Sequence, residues 1–100
     1  MNLSDADKMI VINYFSGKPV RRVYIFGSYA RNEADEKSDI DIMVELDYSK
    51  HIGIHFFSYH EDLAQLLHRK VDVVTEDGIS RHMKPYIDKD KILIYEREAD

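Results

Sequence analysis

Between Asp39 and Glu45 the chain alternates with strict period two: Ile40, Ile42 and Val44 on one side, Asp39, Asp41, Met43 and Glu45 on the other. Only an extended strand sends odd and even positions to opposite faces, so this segment is a strand with one face in a core. The core accounts for the two isoleucines and the valine. It does not account for Asp39 and Asp41, whose Cα atoms on such a strand lie about 6.5–7 Å apart on one face. Carboxylates so placed repel and raise each other's pKa, and a packed interior gains nothing from them. They can converge on one divalent cation or hold two between them. Mg²⁺ suits that arrangement, because it takes hard oxygen ligands and is commonly shared between carboxylates and substrate phosphates.

Other elements can be read around this strand. Ser4 and Asp7 have the spacing of a capping box, Met9, Ile10, Ile12, Tyr14 and Phe15 give an apolar face, and Gly17 and Pro19 give a stop, which predicts a helix from Asp5 to Ser16. Val20 to Phe26 is rich in β-branched and aromatic residues and reads as a strand ending at Gly27. Ser28 to Asn32 can begin a helix, and Glu33 to Ser38 is polar enough for a loop. After a connection at Tyr48 to His51, Phe56, Tyr59, Leu63, Leu66 and Leu67 recur at helical spacing. Val71 to Thr75 is a third strand, Asp77-Gly78 a turn, the region of Pro85 to Asp88 a short helix, and Ile92 to Tyr95 a last strand. The order α-β-β-α-β-α-β describes a sheet covered by helices. The pattern leaves open whether its strands are parallel or mixed.

Three further positions are candidates for chemistry. Gly27-Ser28 closes a strand where a helix can start, a place where backbone N–H groups can approach a phosphate. Asp72 is the lone acid in Val71-Asp72-Val73-Val74 and has three readings: a third metal ligand on a neighbouring strand, the partner of a base, or an exposed residue at a sheet edge. Arg31 has two, a phosphate contact or a salt bridge to a loop acid. Glu45 shares the parity of the aspartates and could line their pocket, but such a residue is more often a solvated strand end, and Glu45 reads as one. His51 and His55 stand four apart, yet with no acid or cysteine arranged beside them they read as surface histidines. Tyr86 and Phe56 read as core rather than as a base-stacking platform.

Taken together, Gly27-Ser28, the ten residues Tyr29 to Ser38, and Asp39-Ile40-Asp41 resemble the G-S-x(10)-D-x-D signature of the DNA polymerase β-like nucleotidyltransferase superfamily. Leu66-Leu67-His68-Arg69-Lys70-Val71-Asp72-Val73-Val74 and Pro85-Tyr86-Ile87 extend the resemblance over most of the chain, to the minimal nucleotidyltransferases (MNT) within it. It implies an α/β (α+β) fold: a small mixed sheet with flanking helices. It implies that Gly27 and Ser28, with Arg31 as a further candidate, hold the triphosphate of ATP. Asp39, Asp41 and Asp72 would be catalytic and bind Mg²⁺, as two ions. Asn32 and His68 depart from the pattern, standing where relatives commonly carry glycine.

Minimal nucleotidyltransferases commonly serve as antitoxins, transferring AMP from ATP onto a tyrosine of a HEPN-type ribonuclease toxin. No R-x(4–6)-H ribonuclease motif occurs here, so the resemblance implies the antitoxin half and a HEPN toxin as partner. The other readings are a binding module that occludes its partner without catalysis, and nucleotidylation of a small molecule. With 100 residues the expectation is one domain, 1–100, too small to carry its own acceptor-binding domain. A net charge of −5 argues against non-specific binding to nucleic acid, which needs a basic surface. The absence of cysteine excludes disulfides and thiolate zinc sites. No apolar run approaches a membrane span and the N-terminus shows no secretory pattern, so the expected location is the cytoplasm.

Overall fold

A computed structural model describes residues 2–98. Ser4 caps helix α1 (Asp5–Phe15), its hydroxyl accepting from the Asp7 N–H at 3.0 Å, and Asp5 and Asp7 sit in the first turn, where the helix dipole favours acids. Gly17, at φ 90°, turns the chain into β1 (Val20–Phe26). Helix α2 (Gly27–Ala30) follows without a linker, and a loop leads to β2 (Ile40–Leu46). A 3₁₀ segment (Ile54–Ser58) runs into α3 (Tyr59–Leu67), then come β3 (Val71–Thr75), a 3₁₀ turn (Glu76–Gly78), α4 (Lys84–Asp90) and β4 (Ile92–Glu96). The expected helix over Phe56 to Leu67 is therefore 3₁₀ in its first turn.

The sheet has four strands in the order β3-β2-β1-β4 and is mixed: β1 pairs antiparallel with β2 and β4, whereas β2 pairs parallel with β3. One face, carrying Val23, Ile25, Ile40, Ile42 and Val44, packs with Val11, Phe15, Tyr59, Leu63 and Leu67 of α1 and α3. Val20 and Val23 are both fully buried although three apart, a spacing that plain alternation would send to opposite faces. The register slips between Val20 and Arg22, and that bulge lets both point inward. Tyr59 anchors the helix layer, meeting the rings of Tyr14, Phe15 and Phe56 edge-on at 5.9, 5.5 and 5.4 Å.

Two sequence expectations change here. Tyr86 is exposed, not core: α4 is seven residues long and buries Ile87, which turns its neighbour outward. Phe56 is half-buried against the core as expected. Glu45 is not a solvated strand end. Its side chain is 17% exposed, accepting from Arg22 at 2.9 Å and from the Tyr24 hydroxyl at 3.0 Å across β1. Among the described residues no helix is long and apolar enough to cross a membrane.

Asn32 and His68, the two positions that depart from glycine, both adopt left-handed backbone, at φ 59° and 56°. Asparagine tolerates that region, but His68, closing α3, bears the cost of its β-carbon. Replacing His68→Gly relieves roughly 1–2 kcal/mol of strain and returns roughly 0.5–1 kcal/mol as added freedom of the unfolded chain. The expected net gain is about 0.5–1 kcal/mol, read as a higher urea midpoint at constant m-value. A lower midpoint would show that the imidazole contributes more than its backbone costs.

Candidate active site

The parallel pairing of β2 with β3 sets Asp41 directly beside Asp72, in register with Ile40 beside Val71 and Ile42 beside Val73. Neighbouring strands lie about 4.8 Å apart, so the two acids share one end of the open sheet face. Asp39 stands one residue ahead of β2, where the strand is fastened by the Ile40 N–H donating to the Lys70 carbonyl at 2.9 Å. Its carboxylate faces the Lys70 ammonium at 3.7 Å. Asp72 is exposed and β3 is an edge strand, so this residue is both at an edge and next to the aspartate pair.

Burial, then the charges of Asp72 and Asp39, push the Asp41 carboxyl up to about 6, with Arg31 opposing in part. Gly27 lies against this carboxylate. At φ 73°, a β-carbon there would collide with the Asp41 side chain, so the residue that opens α2 is fixed as glycine by both conformation and space. Phe26, ahead of it, offers no side-chain cap to the first turn of α2. The turn is secured from behind. Tyr29 is buried, and its hydroxyl accepts a hydrogen bond from Arg69, whose guanidinium also stacks over the ring at 5.6 Å.

A cavity of about 320 Å³ opens at this corner, its walls including Gly27, Ser28, Arg31 and Asp41 on one side and Met83 and Tyr86 on the other. Arg31 is paired with Glu33 and with Asp90 of α4, both at 3.2 Å, so it currently serves the salt bridge the sequence offered as one of its readings. His51 and His55 do not share a helix face, since His51 precedes the 3₁₀ segment that contains His55. The structure thus brings together Gly27, Ser28, Arg31 and Asp41 at one cavity, with Asp72 and Asp39 adjoining Asp41. Sequence reading did not find Met83, Tyr86 or the Arg31–Asp90 bridge. Its available signal was the short length of α4, which can bury only one face.

The donor set suits a hard divalent cation: three carboxylates of which one is already pushed towards neutrality by burial and then by the others, beside a glycine that leaves the carboxylate room. Among the described residues the acids are not gathered into a closed ligand cluster. Asp39 is drawn towards Lys70, and binding would need its side chain to turn about a fixed Cα.

The polymerase β nucleotidyltransferase family model matches residues 10–100. A candidate protein adenylyltransferase of Methanocaldococcus jannaschii is 47% identical over 78 residues, covering 76% of each chain. A solved structure described as a candidate minimal nucleotidyltransferase superposes with a TM-score of 0.70 at 30% identity, over 87% of this chain and 88% of that one. A chain in the complex of a tri-AMPylated Shewanella oneidensis HEPN toxin with its MNT antitoxin superposes at 0.70 with 20% identity, over 95% of this chain and 74% of that one, a likeness of fold.

Because the Asp41 carboxyl titrates higher in the folded chain than its ordinary 3.8, its contribution to stability is fully present below that value and is lost as pH rises through about 6. In metal-free buffer, Asp41→Asn should therefore raise the melting temperature at neutral pH by a few degrees, and the gain should vanish near pH 4. Melting curves of both proteins in chelator across this window test it. A mutant that melts well below wild type at neutral pH would instead make Asp41 a hydrogen-bonded structural acid.

Proposed function

The chain belongs to the polymerase β nucleotidyltransferase family, and from that we propose that it transfers AMP from ATP to a tyrosine of a partner protein. On this reading the partner is a HEPN-type ribonuclease toxin, and the modification neutralises it. The observation that carries the proposal is the Asp41–Asp72 pair set in register beside the Gly27 turn. A surface that acted only by occlusion would have no use for mutually repelling acids around a glycine. The adenylyltransferase name of the M. jannaschii relative and the AMPylated toxin of the S. oneidensis complex support the acceptor class.

In the reaction, a tyrosine oxygen attacks the α-phosphorus of ATP, the bond to the bridging oxygen of pyrophosphate breaks, and the phenolic proton leaves. Mg²⁺ held by Asp39, Asp41 and Asp72 would lower the acceptor's pKa and neutralise charge on the departing pyrophosphate. The chain's own part is placement. Gly27 and Ser28 seat the triphosphate at the start of α2, which Arg69 holds through Tyr29. Asp72, exposed on the edge strand, stands where an acceptor can approach and can take up the proton. Arg31 can exchange its exposed partner Glu33 for phosphate oxygen without moving its helix.

Incubated with ATP, Mg²⁺ and the cognate toxin, the chain should raise the toxin's intact mass by adenylate increments, and Asp39→Asn/Asp41→Asn should abolish the increments and the neutralisation together. Neutralisation that persists in the double variant, with no mass change, would establish occlusion instead. A native-state ligand at a hundredfold excess over Kd stabilises by about 2.7 kcal/mol. Mg²⁺-ATP should accordingly raise the wild-type melting temperature by roughly ten degrees and leave Asp41→Asn almost unmoved. Equal shifts in the two proteins would remove Asp41 from the site.

A further inference from the structure

The cavity beside Asp41 changes character from one wall to the other. Towards β2 and α2 it is polar, with the Gly27-Ser28 turn, Arg31 and the Asp41 carboxylate. Towards α4 it presents Tyr86, 68% exposed, and Met83, 52% exposed, with Ile87 also in its lining; Phe26, next to Gly27, lines it as well. Of the charged groups of α4, Lys84 and Asp88 pair with each other at 3.5 Å, Asp88 also pairs with Lys91 at 3.0 Å, and Asp90, which lines the cavity, is held by Arg31 at 3.2 Å. Apart from the paired Asp90, α4 and its N-cap residue Met83 thus offer the cavity an aromatic ring and a polarizable thioether, with Ile87 beside them. Leaving both in water forgoes the burial that such side chains usually obtain, and apolar groups exposed at the mouth of a polar pocket mark a contact surface.

A nucleoside triphosphate has the same polarity sequence, anionic at one end and a flat π surface at the other. We propose that Tyr86, flanked by Met83, is the platform on which the base of the donor nucleotide stacks, and that it favours a purine. The inference rests on the nucleotidyltransferase reading, because the triphosphate must lie on the Gly27-Ser28 turn for the base to reach α4. Given that anchor, the exposed apolar wall of Tyr86 and Met83 lies within the same cavity for the base to meet. The Arg31–Asp90 bridge ties that wall to the helix bearing the phosphate turn, so the two ends of the nucleotide are recognised by elements joined to each other. Stacking is tolerant of base identity because every base has a π face, and the wider purine ring covers more of the tyrosine. Met83 adds a sulfur contact at the ring edge.

The test measures Mg²⁺-dependent binding of ATP, CTP and inorganic tripolyphosphate to the whole chain, as wild type, Tyr86→Phe and Tyr86→Ala. Loss of a stacking aromatic typically weakens binding by roughly five- to a hundredfold. Tyr86→Ala should thus lower ATP affinity by about tenfold or more, lower CTP affinity less, and leave tripolyphosphate unchanged, while Tyr86→Phe binds all three as wild type does. ATP affinity that is unmoved in Tyr86→Ala but lost in Asp41→Asn would overturn the platform and keep the nucleotide site. A parallel fall for ATP and tripolyphosphate would overturn it too, as a deformation of the corner. If Tyr86→Ala binds ATP normally yet no longer modifies the partner protein, Tyr86 belongs to the acceptor surface and the proposal fails. Wild type that binds neither ATP nor tripolyphosphate would sink the nucleotidyltransferase reading itself.

Discussion

The in-register parallel contact between β2 and β3 is the constraint on which the rest of this structure depends. It places Asp41 against Asp72, and a slip by one residue would set Asp41 beside a valine and turn one strand inside out. The acids cannot hold the register themselves, since they repel. The opposite face does: Ile40, Ile42 and Val44 are fully buried and Val71 nearly so. Burial of one such side chain is worth about 1.5–3 kcal/mol, so the four outweigh the burial and repulsion that raise Asp41. The active corner is thus a local conflict sustained by a core on the other side of the same strands.

A second dependence runs through Gly27. The strand pairing puts Phe26 opposite Asp41, so the residue after Phe26 must pass the aspartate closely. Glycine permits this and also supplies the left-handed φ that starts α2 without a linker. The cost is a helix of four residues with no side-chain cap at its start, which would be weak in isolation. Tyr29 compensates by burying its ring, with Arg69 both bonded to its hydroxyl and stacked on it. Arg69 comes from the corner between α3 and β3, so the element that precedes Asp72 also holds the turn that adjoins Asp41.

Most of the fold was legible because its signals are local. Period two in Ile40-Asp41-Ile42, the cap at Ser4 and the breaks at Gly17 and Pro19 each act over a few residues, and every strand and helix expected from the sequence is present. Pairing directions were not legible, since they depend on contacts distant in sequence, as did the bulge that lets Val20 and Val23 share a face. Among candidate site residues, Asp39 and Asp41 stood out in the sequence by lacking a structural reason to be there. Asp72 had three readings on pattern alone, and the register of β3 now puts it beside Asp41. Tyr86 was misread because aromatic residues are usually core. In a short helix that already buries Ile87, the geometry leaves an adjacent ring nowhere inward to go.

The charge balance of the corner also bears on what form of donor can enter it. Arg31 and Lys70 both face carboxylates already, Arg31 two of them. Besides the Asp39 that Lys70 faces, Asp41 and Asp72 add two further carboxylates where the proposed triphosphate would come to rest. Like charges about 4 Å apart near a protein surface repel by about 4 kcal/mol. A bare nucleotide therefore meets a site of its own sign within a chain of net charge −5. On the proposed reading the same acids would become an attraction for a nucleotide arriving with divalent cations, because each carboxylate would then lose its like-charged neighbour's penalty and gain a ligand bond. On that reading, the arrangement that strains the metal-free protein electrostatically would favour the metal complex of a nucleotide over the free anion.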